Sequence, residues 1–106
     1  MNLEGVVWAG AEDAPARELN EGVRTRTLWR GENGARAIIF EVDPGCRMEE
    51  LDVHEPGPEE VFVLSGVFND GVRDYPAGTF IHHPAGTSHV PQSRTGCKLF
   101  VFYPEG

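Results

Sequence analysis

Turn-forming residues interrupt this chain at short, fairly regular intervals between residues 20 and 87. The interruptions fall at 20–22, 31–34, 43–45, 55–58, 69–71, 76–78 and 84–87, and each of them contains Gly. Long helices need uninterrupted stretches, whereas turns separated by roughly 8–12 residues are typical of short antiparallel strands. With thirteen Gly and eight Pro among 106 residues, the sequence predicts an all-β sandwich or barrel.

The segments between these turns are rich in β-branched and aromatic residues, which favour strands. We expect strands at 23–30, 35–42, 48–54, 59–68, 72–75, 79–83, 88–91 and 97–103. Residues 6–8 would add a short strand, and residues 11–20 a helical turn or a loop. Segment 59–64 carries apolar residues on both of its faces. We therefore expect one face to look into a barrel and the other to be covered by a second sheet or a partner subunit.

The acidic balance of the chain excludes some classes of partner. Its formal net charge is −8, whereas binding to nucleic acid or to anionic membranes needs a basic surface. No window approaches the roughly 18 apolar residues of a membrane span, and no signal-peptide pattern opens the chain. Cys46 and Cys97 make no CxxC pair, so we expect two free thiols in a reducing compartment. These features predict one cytoplasmic domain, residues 1–106, without nucleic acid or membrane partners.

Four side chains that bind divalent metals lie between residues 52 and 89: Asp52, His54, Glu59 and His89. The two-residue period of a strand puts Asp52 and His54 on the same face. Glu59 opens the next strand, and strands that fold back on one another would bring His89 to it. Two imidazoles and one or two carboxylates suit a first-row divalent ion. Each residue taken alone has an ordinary alternative, since single histidines and paired glutamates are common on surfaces.

The spacing of the first three residues resembles the first motif of the cupin superfamily. That motif has a Gly, then His-X-His, a Glu and a second Gly, and the residues in the matching places are Gly45, Asp52-Val53-His54, Glu59 and Gly66. The chain departs from the motif at Asp52, which stands where the first His is expected. Asp52 would either bind the metal, favouring a harder ion such as Mn²⁺ or Fe²⁺, or orient an imidazole from outside.

The end of the same stretch resembles the second cupin motif. Gly78, five residues, Pro84-Ala85-Gly86, two residues and His89 fit every spacing of that motif, and its closing Asn is Ser93 here. The resemblance implies a double-stranded β-helix, the cupin jelly roll, with a metal-binding core at about 45–103. It also implies one divalent ion per chain, of which Fe, Mn, Zn and Ni are the candidates.

A narrower resemblance is to the cupin domain of ChrR-type anti-sigma factors and related stand-alone proteins. Segments 59–70, 75–80 and 96–97 carry this likeness, while the first 40 residues resemble the family only loosely. Cupins of this kind commonly pair through their N-terminal strands. The resemblance therefore implies a homodimer, which Trp8 and Trp29 near the N-terminal strands would suit.

Two classes of function stay open on these grounds, and the expected partner is a small-molecule substrate in the first and a metal or small-molecule ligand in the second. The first is an Fe-type oxygenase in which His54, Glu59 and His89 hold the ion, since related cupins cleave diketone-like substrates. The second is a metal- or ligand-binding sensor or regulatory domain without turnover. No catalytic residue can be named from the sequence. His82 and His83 are neighbours on one strand, so one of them is expected to face the barrel.

Overall fold

The computed structural model describes all 106 residues, which form strands, turns and one 3-10 turn at Glu32–Gly34. The strands are β1 (Ala16–Asn20), β2 (Val23–Arg30), β3 (Arg36–Val42), β4 (Cys46–Arg47), β5 (Asp52–Val53), β6 (Glu59–Asn69), β7 (Asp74–Pro76), β8 (Phe80–His83), β9 (Ser88–His89), β10 (Gln92–Ser93) and β11 (Cys97–Tyr103). The prediction of an all-β fold is confirmed. No helix of the chain is long and apolar enough to cross a membrane.

Strand β6 is the element on which the sheets are assembled. The main sheet runs β1-β2-β3-β11-β6-β10-β4, and β7 and β8 also pair with β6. The first half of β6 lies between β11 and β8, while its last residues pair with β7 and β10. Because this eleven-residue strand changes partners along its length, the antiparallel sheet curls into a half-barrel. Strands β5 and β9 form a separate two-stranded sheet.

A β-bulge near Gly66 accompanies the change of partners. The pairing of β6 with β11 shifts between Ser65–Lys98 and Val63–Leu99, so β6 has one more residue than its partner. Gly66 has a φ of +72°, and a Cβ built there would lie 1.9 Å from a backbone carbonyl oxygen. A side chain does not fit in this space, which gives the second Gly of the first motif its physical reason.

The alternation along β6 separates a core face from an exposed face. Val61 and Val63 are at most 1% exposed and belong to a cluster of eleven buried residues: Val23, Ile38, Phe40, Val42, Val61, Val63, Phe68, Ile81, Cys97, Leu99 and Val101. Phe62 and Leu64 are 42% and 47% exposed on the outer face. Both faces were expected to be covered, but within one chain only the inner face is. Phe62, Leu64 and the exposed Phe80 of neighbouring β8 form an outer apolar patch.

The N-terminal segments fold differently from the prediction. Residues 6–8 form no strand. Strand β1 lies where a helical turn or a loop was expected, because the turn at Asn20-Glu21-Gly22 folds it back on β2. Gly22 has a φ of +75°, the left-handed conformation that Gly adopts without strain.

Two of the expected strands are shorter than predicted, and the strands next to them in sequence join a different sheet. Segment 48–54 contributes only β5, because β4, just before it, pairs with β10 while β5 pairs with β9. Segment 88–91 contributes only β9, and β10 begins after Pro91, which has no N–H to donate to a ladder. Cys46 and Cys97 are both free thiols, as expected.

Candidate metal centre

The two ends of the stretch 52–89 meet in the small β5–β9 sheet. Asp52 lies directly opposite His89 in the antiparallel register. Just beyond β5, the backbone N–H of His54 donates to the carbonyl oxygen of Thr87 at 2.9 Å. Three of the four predicted metal-binding residues are therefore held side by side by backbone hydrogen bonds.

Glu59 and His83 approach the same place from the neighbouring wall. Glu59 opens β6 and lies opposite His83 of β8, so both side chains point to the inner face. Glu59 is 4% exposed, and the His83 side chain is 12% exposed. The His82 side chain is 52% exposed on the outer face and contacts Glu60. Of the two neighbouring histidines, His83 is the one that faces the interior.

The donor atoms of all four predicted residues converge on one point. His54 Nε2 lies 3.1 Å from His89 Nε2 and 3.2 Å from Glu59 Oε1. Asp52 Oδ2 lies 3.1 Å from His89 Nε2 and 3.6 Å from His54 Nε2. The four donor atoms all lie within 4.8 Å of one another. Ligands about 2.0–2.2 Å from one ion, at tetrahedral or octahedral angles, are separated by roughly 2.8–3.6 Å, so most of these spacings match a single ion.

His83 completes a triangle of imidazoles that the sequence analysis did not include among the metal ligands. The ring centroids of His54, His83 and His89 are 4.6–4.7 Å apart in every pair. Each ring offers one nitrogen within 4.8 Å of the other two. The inward facing of His83 could have been predicted from Ile81, which lies two residues earlier on the same face of the strand. An aliphatic side chain at that position indicates that this face is buried.

Thr87 determines which ring nitrogen His54 presents to the centre. The Thr87 hydroxyl donates its only proton to the carbonyl oxygen of Pro84 at 2.7 Å. The 2.8 Å contact between Thr87 Oγ1 and His54 Nδ1 must therefore be donated by the imidazole. With Nδ1 protonated, neutral His54 directs the Nε2 lone pair toward Glu59 and His89, which is the tautomer that binds a metal.

Asp52 lies among the donor atoms and not behind them. A carboxylate that only orients an imidazole bonds to the ring nitrogen pointing away from the ion. Asp52 Oδ2 instead contacts Nε2 of His89, the same nitrogen that faces His54. Of the two roles that the sequence left open, this position supports direct ligation.

The charges of the centre depend on one another. Burial alone would raise the pKa of Glu59, but the close contacts of His54 and His83 with its carboxylate and the charges of His54 and His89 lower it to about 2. Burial would lower the pKa of His54, but the hydrogen bond and charge of Glu59, followed by Asp52, outweigh it and raise that pKa. Without a metal, the Glu59 carboxylate therefore favours the protonated form of His54.

Two buried ring nitrogens indicate that the group of side chains is incomplete by itself. Nδ1 of His83 and Nδ1 of His89 have no hydrogen-bond partner. His83 Nδ1 lies 3.1 Å from Glu59 Oε1, but without the geometry of a hydrogen bond. Buried polar atoms in proteins are nearly always paired. The unpartnered His83 Nδ1 beside Glu59 therefore points to a water or an ion at the centre, whereas His89 faces the centre with Nε2 and its Nδ1 would need a separate partner. Three imidazoles and two carboxylates with these spacings fit a divalent metal ion.

Solved structures with similar folds include proteins of diverse function. A protein of unknown function with a cupin-like fold from Ralstonia eutropha has a TM-score of 0.80 and 18% identity, covering 98% of this chain and 70% of its own. An acetylacetone dioxygenase from Acinetobacter johnsonii has a TM-score of 0.79 and 15% identity, covering 98% of this chain and 76% of its own. At these identities the likeness concerns the fold, and the predicted cupin jelly roll is confirmed.

A chain in the crystal structure of Rhodobacter sphaeroides SigE in complex with the anti-sigma ChrR is more similar in sequence. It has 27% identity and a TM-score of 0.74, with 86% of this chain and 49% of that chain covered. This chain thus spans about half the length of that one. No curated protein sequence matches the chain. The family model of the ChrR cupin-like domain matches residues 5–105, so the chain belongs to the ChrR cupin-like domain family.

Proposed function

We propose that this domain binds one divalent metal ion through Asp52, His54, Glu59 and His89. The observation that carries the proposal is the convergence of their donor atoms, with contacts of 3.1–3.9 Å around His54 Nε2 and His89 Nε2. His83 lies beside them as a fifth donor. The set would leave at least one position of an octahedral ion open to a ligand.

The donor set supports Fe²⁺ or Mn²⁺ before Zn²⁺ or Ni²⁺. Structural zinc sites are tetrahedral and rich in thiolate or imidazole. Here two hard carboxylate oxygens stand with the imidazoles, and carboxylate ligands suit Mn²⁺ while mixed His and carboxylate sets suit non-haem Fe²⁺. Asp52, which departs from the cupin motif, supplies the second of these oxygens.

Replacing His89 by Ala removes the nitrogen that contacts both His54 and Asp52. We expect wild-type protein loaded with Mn²⁺ and desalted to retain about one ion per chain. His89→Ala should retain less than about a tenth of that amount, since even residues that only support a ligand contribute about 10–100-fold to affinity. Mass spectrometry of the metal content measures both values. His82→Ala, on the outer face, is the matched control, and unchanged metal in His89→Ala would exclude this site.

The metal-induced rise in melting temperature should increase with pH. In the metal-free protein, the raised pKa of His54 makes its interaction with Glu59 stabilising below about pH 6.5, and this stabilisation is lost as the pH rises through the higher folded value. Bound metal instead needs the neutral imidazole, so protons compete with it at low pH. Calorimetry with and without Mn²⁺ should show a larger shift at pH 8 than at pH 5.5. Equal shifts at both pH values would contradict the proposed ligand set.

We favour an oxygenase reaction at this centre, because a cavity of about 180 Å³ includes Asp52 in its lining and would bring a small substrate next to an ion bound there. Bound Fe²⁺ would supply the redox and Lewis-acid chemistry by which O₂ reacts with an organic molecule. The chain itself would hold the substrate away from water against the apolar cavity wall. The fold shared with an acetylacetone dioxygenase is compatible with this reaction class.

A regulatory role is the second candidate, and the family match supports it. The matching chain of 27% identity comes from an anti-sigma complex. The similarity covers only 49% of that chain. The interaction with SigE therefore belongs to ChrR, and a similar interaction of this domain is a proposal. In this role the centre would bind metal or ligand without turnover.

Oxygen uptake distinguishes the two candidates. As an oxygenase, the Fe²⁺-loaded domain should consume O₂ with a diketone such as pentane-2,4-dione, or with a phenolic ketone, in proportion to the substrate lost. His89→Ala should slow uptake at least about 100-fold, because the reaction depends on the ion. An oxygen electrode measures the rate, with His82→Ala as the control. Tightly bound zinc with no uptake for any substrate would instead support the regulatory role.

We also propose that two copies pair through the outer apolar patch of Phe62, Leu64 and Phe80. A second unpartnered apolar surface lies near the N-terminus, where Val7 and Trp8 are 66% and 89% exposed. Sedimentation should give twice the chain mass of 11.7 kDa, because each copy would cover the other's patch. Phe80→Glu should give the mass of one chain, while Val72→Glu, at a fully exposed turn, should not. A wild-type mass of one chain would contradict the dimer.

A further inference from the structure

The cavity beside the metal centre has an apolar wall and a cationic end. It measures about 180 Å³ and shares Asp52 with the centre. Its apolar lining comes from β1, β3 and the segment just after β4, namely Leu19, Ile38, Phe40 and Met48. Sites for drug-sized ligands measure roughly 300–1,000 Å³. A cavity of this size suits a small organic molecule with an apolar body.

Arg36 is the cationic residue of this lining, and its charge has no partner. Arg24 and Arg26 on the neighbouring strand both bind the Glu41 carboxylate, at 3.2 and 2.9 Å. The half-buried Arg36 forms no ion pair and donates no side-chain hydrogen bond. Its guanidinium carbon lies 4.2 Å from the ring centroid of Tyr103, which is directly opposite on β11. The ring holds the guanidinium in place without using its N–H groups.

The charge balance at the cavity favours an anion. A divalent ion would be balanced by the Asp52 and Glu59 carboxylates, which leaves the positive charge of Arg36 uncompensated. The planar fork of a guanidinium matches a carboxylate with two parallel hydrogen bonds. Partial burial strengthens such a pair relative to one in water. Thr25 and Thr27, also in the cavity lining, offer hydroxyls for further polar contacts.

We propose that this cavity takes a small monocarboxylic acid. Its carboxylate would bind Arg36, its apolar body would lie against Ile38 and Phe40, and a second oxygen would reach the open position of the metal beside Asp52. The proposed contact between the second oxygen and the metal depends on the proposed metal centre. The proposed contact between the carboxylate and Arg36 depends only on the cavity and on Arg36.

A branched 2-oxo acid and its ester test this inference. The probe is 4-methyl-2-oxopentanoate, and its neutral methyl ester is the comparison ligand. With Mn²⁺-loaded protein, calorimetric titration should give at least about tenfold tighter binding of the acid, because charged hydrogen bonds to Arg36 contribute about that much. Arg36→Gln should weaken binding of the acid at least about tenfold and leave that of the ester within about twofold. Arg73→Gln, which removes the same charge from an exposed turn, should change neither.

Two further readouts keep the test decisive. Arg36→Lys retains the positive charge but lacks the planar guanidinium, so it should bind the acid more weakly than the wild type. This variant tests the carboxylate subsite if Arg36→Gln does not fold. Equal binding of acid and ester, or wild-type binding of the acid by a folded Arg36 variant, would overturn the carboxylate subsite. Metal content measured on the same samples separates the two proposals. Suppose that protein treated with Mn²⁺ retains no metal but still prefers the acid, and that this preference depends on Arg36. The metal centre would then be overturned and the carboxylate subsite upheld.

Discussion

The buried carboxylate of Glu59 is the charge on which the interior of this domain depends. At 4% exposure, an unpaired carboxylate would cost several kcal/mol. The surrounding imidazoles contact this carboxylate, which in turn raises the pKa of His54 and favours its charged form. At the proposed metal position, a divalent ion would replace a proton on His54 as the positive charge beside Glu59. Metal binding, protonation of His54 and stability of the fold would then be linked through one buried charge.

The topology explains why these groups meet although they are far apart in sequence. The long strand β6 carries Glu59 at its start, where β8 pairs with it and contributes His83. The short β5–β9 pair contributes Asp52 and His89 at directly opposite positions. Each of these contacts is fixed by backbone hydrogen bonds, so the site does not depend on a flexible loop. The cavity lined by Arg36 also includes Asp52, so it adjoins the proposed metal centre.

Spacing in the sequence predicted much of this arrangement because turns fix local geometry. The turn Pro84-Ala85-Gly86 determines where His89 emerges, and Gly66 permits a bulge that no side chain would fit. The spacing of the two motifs predicted the fold and all four donor residues that converge. Strand boundaries were less predictable, since the expected strand 48–54 is reduced to β5, while β4 just before it joins a different sheet. Local propensity contains no information about which sheet a strand will join.

The residues that the sequence did not reveal are those whose position depends on register between strands. His83 was recognised only as one of two candidates for the pocket, because its facing depends on pairing with Glu59. Arg36 and Tyr103 meet across β3 and β11 through a register that no local pattern encodes. The role of Thr87 follows from hydrogen bonds at both sides of its hydroxyl. Such features become visible only when the strands are assembled.

The most direct test of the central claim is anomalous diffraction from crystals of the Mn²⁺-loaded domain. One peak per chain is expected, about 2.0–2.4 Å from His54 Nε2, His89 Nε2 and a carboxylate oxygen of Glu59. The same map should show whether Asp52 and His83 also lie within bonding distance. A peak only at an exterior position, such as the exposed His82–Glu60 pair, would contradict the account.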